Sequence, residues 1–336
     1  MITGKLPNDL LEKMVFKHIN HKRKEVLTGA SIGEDNALVD FGEEVAVLST
    51  DPITGAVNDV GRLSIEISVN DVSTSGGDVI GVLMTLLAPR GISYEDIERI
   101  MKDAGEAAER LDVEIMGGHT EITDAVNRVV ISTTVIGKIK KKNILKLEDI
   151  KKGYKVIMTK STAIEGTSIL LNDYEDFFKD KISREMIEEG KRYGEKISVK
   201  QEGEIGGKIH VNYMHDITEG GLLGAVWEAH KAINMGIKIY EEKIPITKIT
   251  KEMTRILEID PLRLISSGSM LIIADEAKSK LLIEKLNKRG ISVSVIGEVI
   301  DDGAFIESKD NLKIIEPPRA DELYRAIEKL NSTIDK

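Results

Sequence analysis

The chain has 336 residues, 41% of them apolar, which is too long for one compact core and long enough for two domains of roughly 150 residues each. A formal net charge of -10 and a pI near 5.3 argue against a broad electrostatic footprint for nucleic acid or an anionic membrane and leave a small substrate or a protein partner as the better fit. No apolar run approaches the ~20 residues that span a bilayer, the first residues lack the order of a signal peptide, and cysteine is absent. The expectation is a soluble cytoplasmic protein without disulfides, thiolate metal sites or a nucleophilic or carrier cysteine.

In chain order, Pro7 followed by Leu10, Leu11, Met14, Val15 and Ile19 predicts a first helix over residues 7–24. Residues 44–50 (EVAVLST) read as a strand that stops at Asp51-Pro52, because proline cannot donate to a ladder. Residues 93–111 predict an amphipathic helix with Ser93 and Asp96 as a capping box. Strands follow at 113–118 and 128–139. A lysine-rich connector over 138–153 then sets a domain boundary near 145, giving domains 1–145 and 146–336.

The second half restarts with a strand at 155–160, a helix from about residue 162 and a long charged helical stretch over 181–203. A strand-like HVNYMHDI leads through a glycine turn into a helix carrying Leu222, Leu223, Val226, Ala229 and Ile233, closed by Gly236. A helix over 278–289, the strand 292–300 and a final helix after Pro317-Pro318 complete the chain. Strands and helices mix without strict βαβ alternation, so the fold class is α+β.

Four short segments place small or polar residues around an acid beside a predicted strand: Ser31 to Asn36 with Asp35, Ser49-Thr50-Asp51, Val69-Asn70-Asp71 and Met214-His215-Asp216. Magnesium takes compact oxygen ligands, so short aspartates on loops suit nucleotide-bound magnesium better than a soft metal. Taken singly, each acid reads equally as a cap or turn residue. Neither a Walker-type GxxxxGK[ST] nor a GxGxxG after a strand is present, so any phosphate site uses another design. Gly117-Gly118-His119-Thr120 can bring backbone amides and a hydroxyl to an anion, and Gly220-Gly221 can present the amides of a helix start.

Taken in order, GASIGEDNALVDFG, LSTDPITG, VGRLSIEISVNDVSTSGGD, VEIMGGHTEI, MHDITEGGL and ISSGSML resemble the motif series of the aminoimidazole-ribotide synthetase (PurM-like) superfamily, and most nearly its hydrogenase-maturation, HypE-like branch. The resemblance implies a two-domain PurM-like fold, with an N-terminal domain that dimerises into a shared β-barrel, a C-terminal α/β domain, and ATP with magnesium bound between the two. It implies that Asp35, Asp51 and Asp71 are the magnesium–phosphate acids and that Asp216, a magnesium ligand with them, faces the reacting phosphate as a catalytic residue. Gly33, Thr50, Asn70, Gly117, Gly118, Thr120, Gly220 and Gly221 become nucleotide-binding positions, and Lys5 can reach a phosphate. His119 stands where many relatives carry aspartate and is a candidate catalytic residue.

HypE relatives dehydrate a carboxamide carried on their own C-terminal cysteine, whereas this sequence ends NSTIDK and has none. The implied activity is ATP-driven phosphorylation or dehydration of an amide- or thioamide-type acceptor supplied in trans, with a homodimer and a carbamoyltransferase-type maturation partner. A small-molecule kinase like thiamine-monophosphate kinase, and a nucleotide-binding scaffold without turnover, are the alternatives.

Overall fold

The computed structural model describes residue 6 and residues 8–53, 59–309 and 311–334; Lys5 and Pro7 lie outside the described residues. Contacts divide the chain into two compact units, one made of residues 23–29 and 35–144 and the other of the residues before 23, residues 30–34 and residues 145–336. The chain's beginning thus packs with its second half. The first helix, α1 (Asn8–Met14), is shorter than its apolar spacing predicted and passes at Val15 into a 3-10 turn, Phe16–His18.

The unit of residues 23–29 and 35–144 holds β1 (Val26–Thr28), β2 (Ala37–Asp40), β3 (Glu44–Ile53), α2 (Val60–Ser73), β4 (Asp78–Ala88), α3 (Tyr94–Arg110), β5 (Glu114–Ile122) and β6 (Val130–Lys140). The strands form one open sheet in the order β1-β2-β3-β6-β4-β5, antiparallel except for β4 beside β5. β3 runs through Pro52 and pairs with β6 as far as Ile53 opposite Ile131, so the predicted stop at Asp51-Pro52 does not occur. β2 reaches only to Leu48, so beyond that point β3 has an open edge where the missing proline N–H is tolerated.

Helix α2 covers the face of β3 and β6 and is itself covered by α3. Nearly every residue of α2 is buried, including Val60, Ile65, Val69 and Val72. Gly61 is required at the crossing, because a Cβ there would run into the backbone carbonyl of Ile100 on α3. Asp71, expected beside a strand, is in the last turn of this helix. α3 has the predicted start: Ser93 Oγ accepts the Asp96 N–H at 3.0 Å.

The other unit continues with β7 (Lys155–Thr159), α4 (Ile164–Asp173), α5 (Glu175–Phe178), α6 (Arg184–Lys191), α7 (Lys200–Ile209), β8 (Tyr213–Ile217), α8 (Gly221–Ile233), β9 (Gly236–Tyr240), α9 (Lys248–Leu257), β10 (Ser269–Ala274), α10 (Glu276–Asn287), β11 (Val293–Ile300), β12 (Ala304–Ser308), β13 (Asn311–Ile314) and α11 (Glu322–Ile334). Its seven strands are ordered β13-β12-β9-β11-β7-β10-β8, all antiparallel except β12 beside β9. One apolar cluster joins the strands to α8 through Leu222, Val226 and Ala229, and a second joins them to α10 through Leu282 and Leu286. The stretch 181–203 is two helices with a 3-10 turn between them rather than one. Asn234, with φ 51°, rather than Gly236 caps α8, and Gly236 opens β9. Among the described residues no helix is long and apolar enough to cross a membrane.

Candidate functional site

Residues of three N-terminal motifs meet at the end of α2. Side chains alternate along β3, so Ser49 and Asp51 share the α2 face with the buried Val45 and Val47. Ser49 Oγ donates to Asp71 Oδ2 at 2.6 Å. Asn36 Nδ2 donates to Asp71 O and to Thr74 Oγ1, both at 3.1 Å, which pins the neighbour of Asp35 to the same helix end. Asn70 is fully buried beside them and Asp71 nearly so. The assembled donors are carboxylate and hydroxyl oxygens, a hard set that fits magnesium and not a soft metal.

Thr50 points the other way. Its hydroxyl accepts from Thr134 Oγ1 at 3.0 Å on the sheet face opposite α2. His119 lies opposite Thr85 on that same face, exposed, with Nε2 3.3 Å from Glu121 Oε2. The Gly117–Thr120 segment is not a loop after a strand but part of β5, which borders the sheet. Gly118 has φ 150°, and a Cβ there would strike the Met84 carbonyl, so glycine is what lets β5 close on β4. An edge strand still turns alternate backbone groups outward, which keeps this segment available to an anion.

In the other unit, β8 presents His215 and Asp216, both buried. His215 Nε2 is 3.2 Å from Glu228 Oε2, and Asn8 Nδ2 donates to Glu228 Oε1 at 3.3 Å, a buried polar chain from α1 to the strand. Gly33 (φ 79°) lies against α8, where a Cβ would approach Glu228 O at 2.7 Å, and its carbonyl accepts from Tyr213 Oη at 3.2 Å. A cavity of about 750 Å³ opens beside this chain, lined by Asn8, Glu12, Ile32, Trp227, Lys231 and Arg319.

Gly220 (φ 92°) and Gly221 (φ 63°) open α8, as their position before the apolar series predicted. Gly220 N–H donates to Asp321 Oδ2 at 2.6 Å and Gly221 N–H to Thr218 O at 3.1 Å, so both amides have partners within the chain. Sequence reasoning did not find Asp321. Placed just before a helix, it reads as an ordinary cap, and its partners are remote in sequence.

Burial pushes the Asp321 carboxyl from 3.8 up to about 7, while the N–H groups of Leu323, Gly220 and Ile265 pull the other way. A pKa raised in the folded state means that the fold holds a proton which the unfolded chain releases. The stabilisation is therefore complete below about pH 4 and is lost as pH rises through about 7. Wild-type stability measured against Asp321→Asn in urea is expected to fall over this window by an amount on the order of 4 kcal/mol. A flat difference would show that the group does not titrate there.

Residues 33–139 match the family described as AIR synthase related protein, N-terminal domain, and residues 151–309 match its C-terminal domain. Over 337 residues, 96% of each chain, the sequence is 27% identical to a Methanocaldococcus jannaschii protein provisionally named a hydrogenase expression/formation protein. It is 24% identical over 285 residues to the carbamoyl dehydratase HypE of Bradyrhizobium diazoefficiens, covering 82% of this chain and 80% of that one. A chain of the solved HypE–HypF complex superposes with a TM-score of 0.78 at 23% identity, covering 92% of this chain and 99% of that one. HypE solved in complex with ATP gives 0.71 at 18%, covering 94% and 96%. These likenesses show the two-domain PurM-like fold, and with the two family matches they place this chain in the AIR synthase related superfamily, close to the HypE proteins.

Proposed function

We propose that this protein is a HypE-type, ATP- and magnesium-dependent enzyme of hydrogenase maturation that phosphorylates or dehydrates an amide- or thioamide-type acceptor supplied in trans. The observation that carries this reading is the hard-oxygen corner at the end of α2, where Ser49 bonds the Asp71 carboxylate and Asn36, the residue after Asp35, bonds the Asp71 carbonyl. Such a corner suits a magnesium ion bearing phosphate oxygens, and magnesium there would neutralise charge on the phosphoryl group in transfer. Asp35, Asp51 and Asp71 are the magnesium–phosphate acids in this reading, with Asp216 facing the reacting phosphate and His119 a second catalytic candidate. Gly33, Thr50, Asn70, Gly117, Gly118, Thr120, Gly220, Gly221 and Lys5 serve the nucleotide. The absence of cysteine is the reason for an acceptor in trans.

The protein works in the cytoplasm as a homodimer. The open face of the sheet of β1 to β6 exposes Ile80 and Leu83, apolar surface that a second copy would cover in completing a barrel. A carbamoyltransferase-type protein is the expected partner, by analogy with the solved HypE–HypF complex.

Calorimetry of ATP with and without magnesium tests the binding half of the proposal. Binding is expected to require magnesium and to weaken about tenfold or more in Asp51→Asn, the loss of one charged ligand being worth about 1.4 kcal/mol or more. Magnesium-independent binding, or equal affinity in the variant, overturns it. Phosphate release with carboxamide and thiocarboxamide acceptors then separates the enzyme from a scaffold, and a phosphorylated product from thiamine monophosphate would assign a kinase instead.

A further inference from the structure

The chain beyond β13 is stitched across the start of α8. Ile315 N–H donates to Ala304 O at 2.8 Å and Arg263 Nη2 to Glu316 O at 3.3 Å, which fixes the approach. Pro318 then lies over the first turn of the helix: a Cβ on Gly220 would come within 3.1 Å of Pro318 Cβ, and one on Gly224 within 3.5 Å. Asp321 closes the crossing. Its Oδ2 accepts the Gly220 N–H at 2.6 Å, and its Oδ1 accepts from Ile265 at 3.1 Å and Leu323 at 2.8 Å.

One buried carboxylate therefore ties together the turn after β8, the loop before β10 and the first turn of α11. Capping α11 needs only the Leu323 contact. The other two reach across 101 and 56 residues and serve something else. What they hold is a turn in which Gly220 and Gly221 both have positive φ, and a Cβ on Gly221 would lie 2.6 Å from Leu262 O. That turn begins directly after Asp216 and Ile217. Small rotations at Thr218 to Gly221 change how the end of β8 meets the helix.

We infer that Asp321 is a positioning residue: by gripping the Gly220 amide, the C-terminal segment fixes the Asp216–Gly221 turn in its working geometry. The inference rests on the reading above for the reaction that the turn serves, but not for the grip itself.

Asp321→Asn isolates the contact. An asparagine keeps one acceptor oxygen for Ile265 and Leu323 and presents an NH₂ group to the Gly220 N–H. Leu330→Ala is the control, since it removes a fully buried side chain of α11 and leaves the Asp321 bond to Gly220 in place. Two readouts apply. Amide exchange at Gly220 is expected to quicken about tenfold or more in Asp321→Asn and to stay within about twofold of wild type in Leu330→Ala, with both variants folded. Magnesium-dependent ATP turnover per folded molecule, with the folded fraction fixed by a thermal melt, is expected to lose about tenfold or more in kcat in Asp321→Asn with KM for ATP held within about threefold, and to stay within about twofold of wild type in Leu330→Ala. Trp227, the single tryptophan, lines the same cavity as Pro318, so a change in its emission in Asp321→Asn alone is also expected. Unchanged exchange at Gly220, or an equal loss of kcat in both variants, overturns the inference. If wild type turns over no ATP with any acceptor, the enzymatic reading fails, and the exchange arm alone decides whether Asp321 holds the turn.

Discussion

Replacing Asp216 with asparagine is expected to lower magnesium-dependent ATP turnover by roughly a hundredfold or more while leaving the fold intact. The size follows from what a carboxylate contributes in this reading, where it would hold magnesium against the phosphoryl group in transfer: removal of one such preorganised partner typically costs about 10²–10³ in kcat. Asp216 is suited to that role because its position is set by the sheet rather than by a loop. It pairs with Met270 in the ladder between β8 and β10, and all five residues of β8 are buried. Asparagine has nearly the same shape, so the lesion is to charge and not to packing. Steady-state turnover beside a thermal melt decides the matter. Undiminished turnover in a folded Asp216→Asn protein would remove this residue from the reaction.

Lys160→Met is expected to destabilise the unit that contains it by about 3–5 kcal/mol, the usual cost of leaving a buried partner charge unmatched. Lys160 Nζ is 2.7 Å from Glu202 Oε1 and donates to the carbonyls of Ser198 and Gly268, each at 2.7 Å. The Glu202 side chain is only 1% exposed. Without the ammonium, that carboxylate must either stay charged in an apolar site or take up a proton. Two carbonyls lose their donor at the same time. Lys160 itself follows β7 with φ 55°, a conformation that an L residue adopts at some cost and that the three contacts hold in place. The double change Lys160→Met with Glu202→Leu should recover much of the loss, because it removes both charges together. Urea unfolding of the four proteins in a cycle measures the coupling, with each unit followed by its own probe since a two-unit chain need not unfold in one step. A cost below about 1 kcal/mol for the single change would mean that solvent reaches the pair.

What the sequence revealed followed from local chemistry. Ser93 and Asp96 marked the start of α3 because a capping box is complete within four residues, and the polar outer face of that helix gave it a clear period. α2 lacked such a mark. It is covered by the sheet on one side and by α3 on the other, so its buried positions run round the helix, and the alternation of Ile65, Ile67 and Val69 imitates a strand. The two glycines of β5 suggested a turn because a GG pair usually makes one. Here Gly118 is required by the approach of β5 to β4 at Met84, a contact between segments that no local pattern displays. The motif series named Asp35, Asp51 and Asp71, yet only the folded chain shows Ser49 bonded to Asp71 across 22 residues. Asp321 and Glu228 were missed on the same principle. Their partners lie 101 residues away in one case and 220 in the other, and a lone acid in a helical stretch gives no sign of them.

The bond from Asn8 to Glu228 also bears on how the protein is made. α1 leaves the ribosome well before α8, since Asn8 and Glu228 are 220 positions apart. The unit of residues 23–29 and 35–144 is complete once residue 144 has emerged and can fold then, whereas α1 must wait until α8 has been synthesised. A fragment begun at the lysine-rich connector would leave Glu228 without the Asn8 amide and α8 without the Gly33 backbone that lies against it. The second half of this chain is therefore finished by a segment translated 220 positions ahead of the helix it meets.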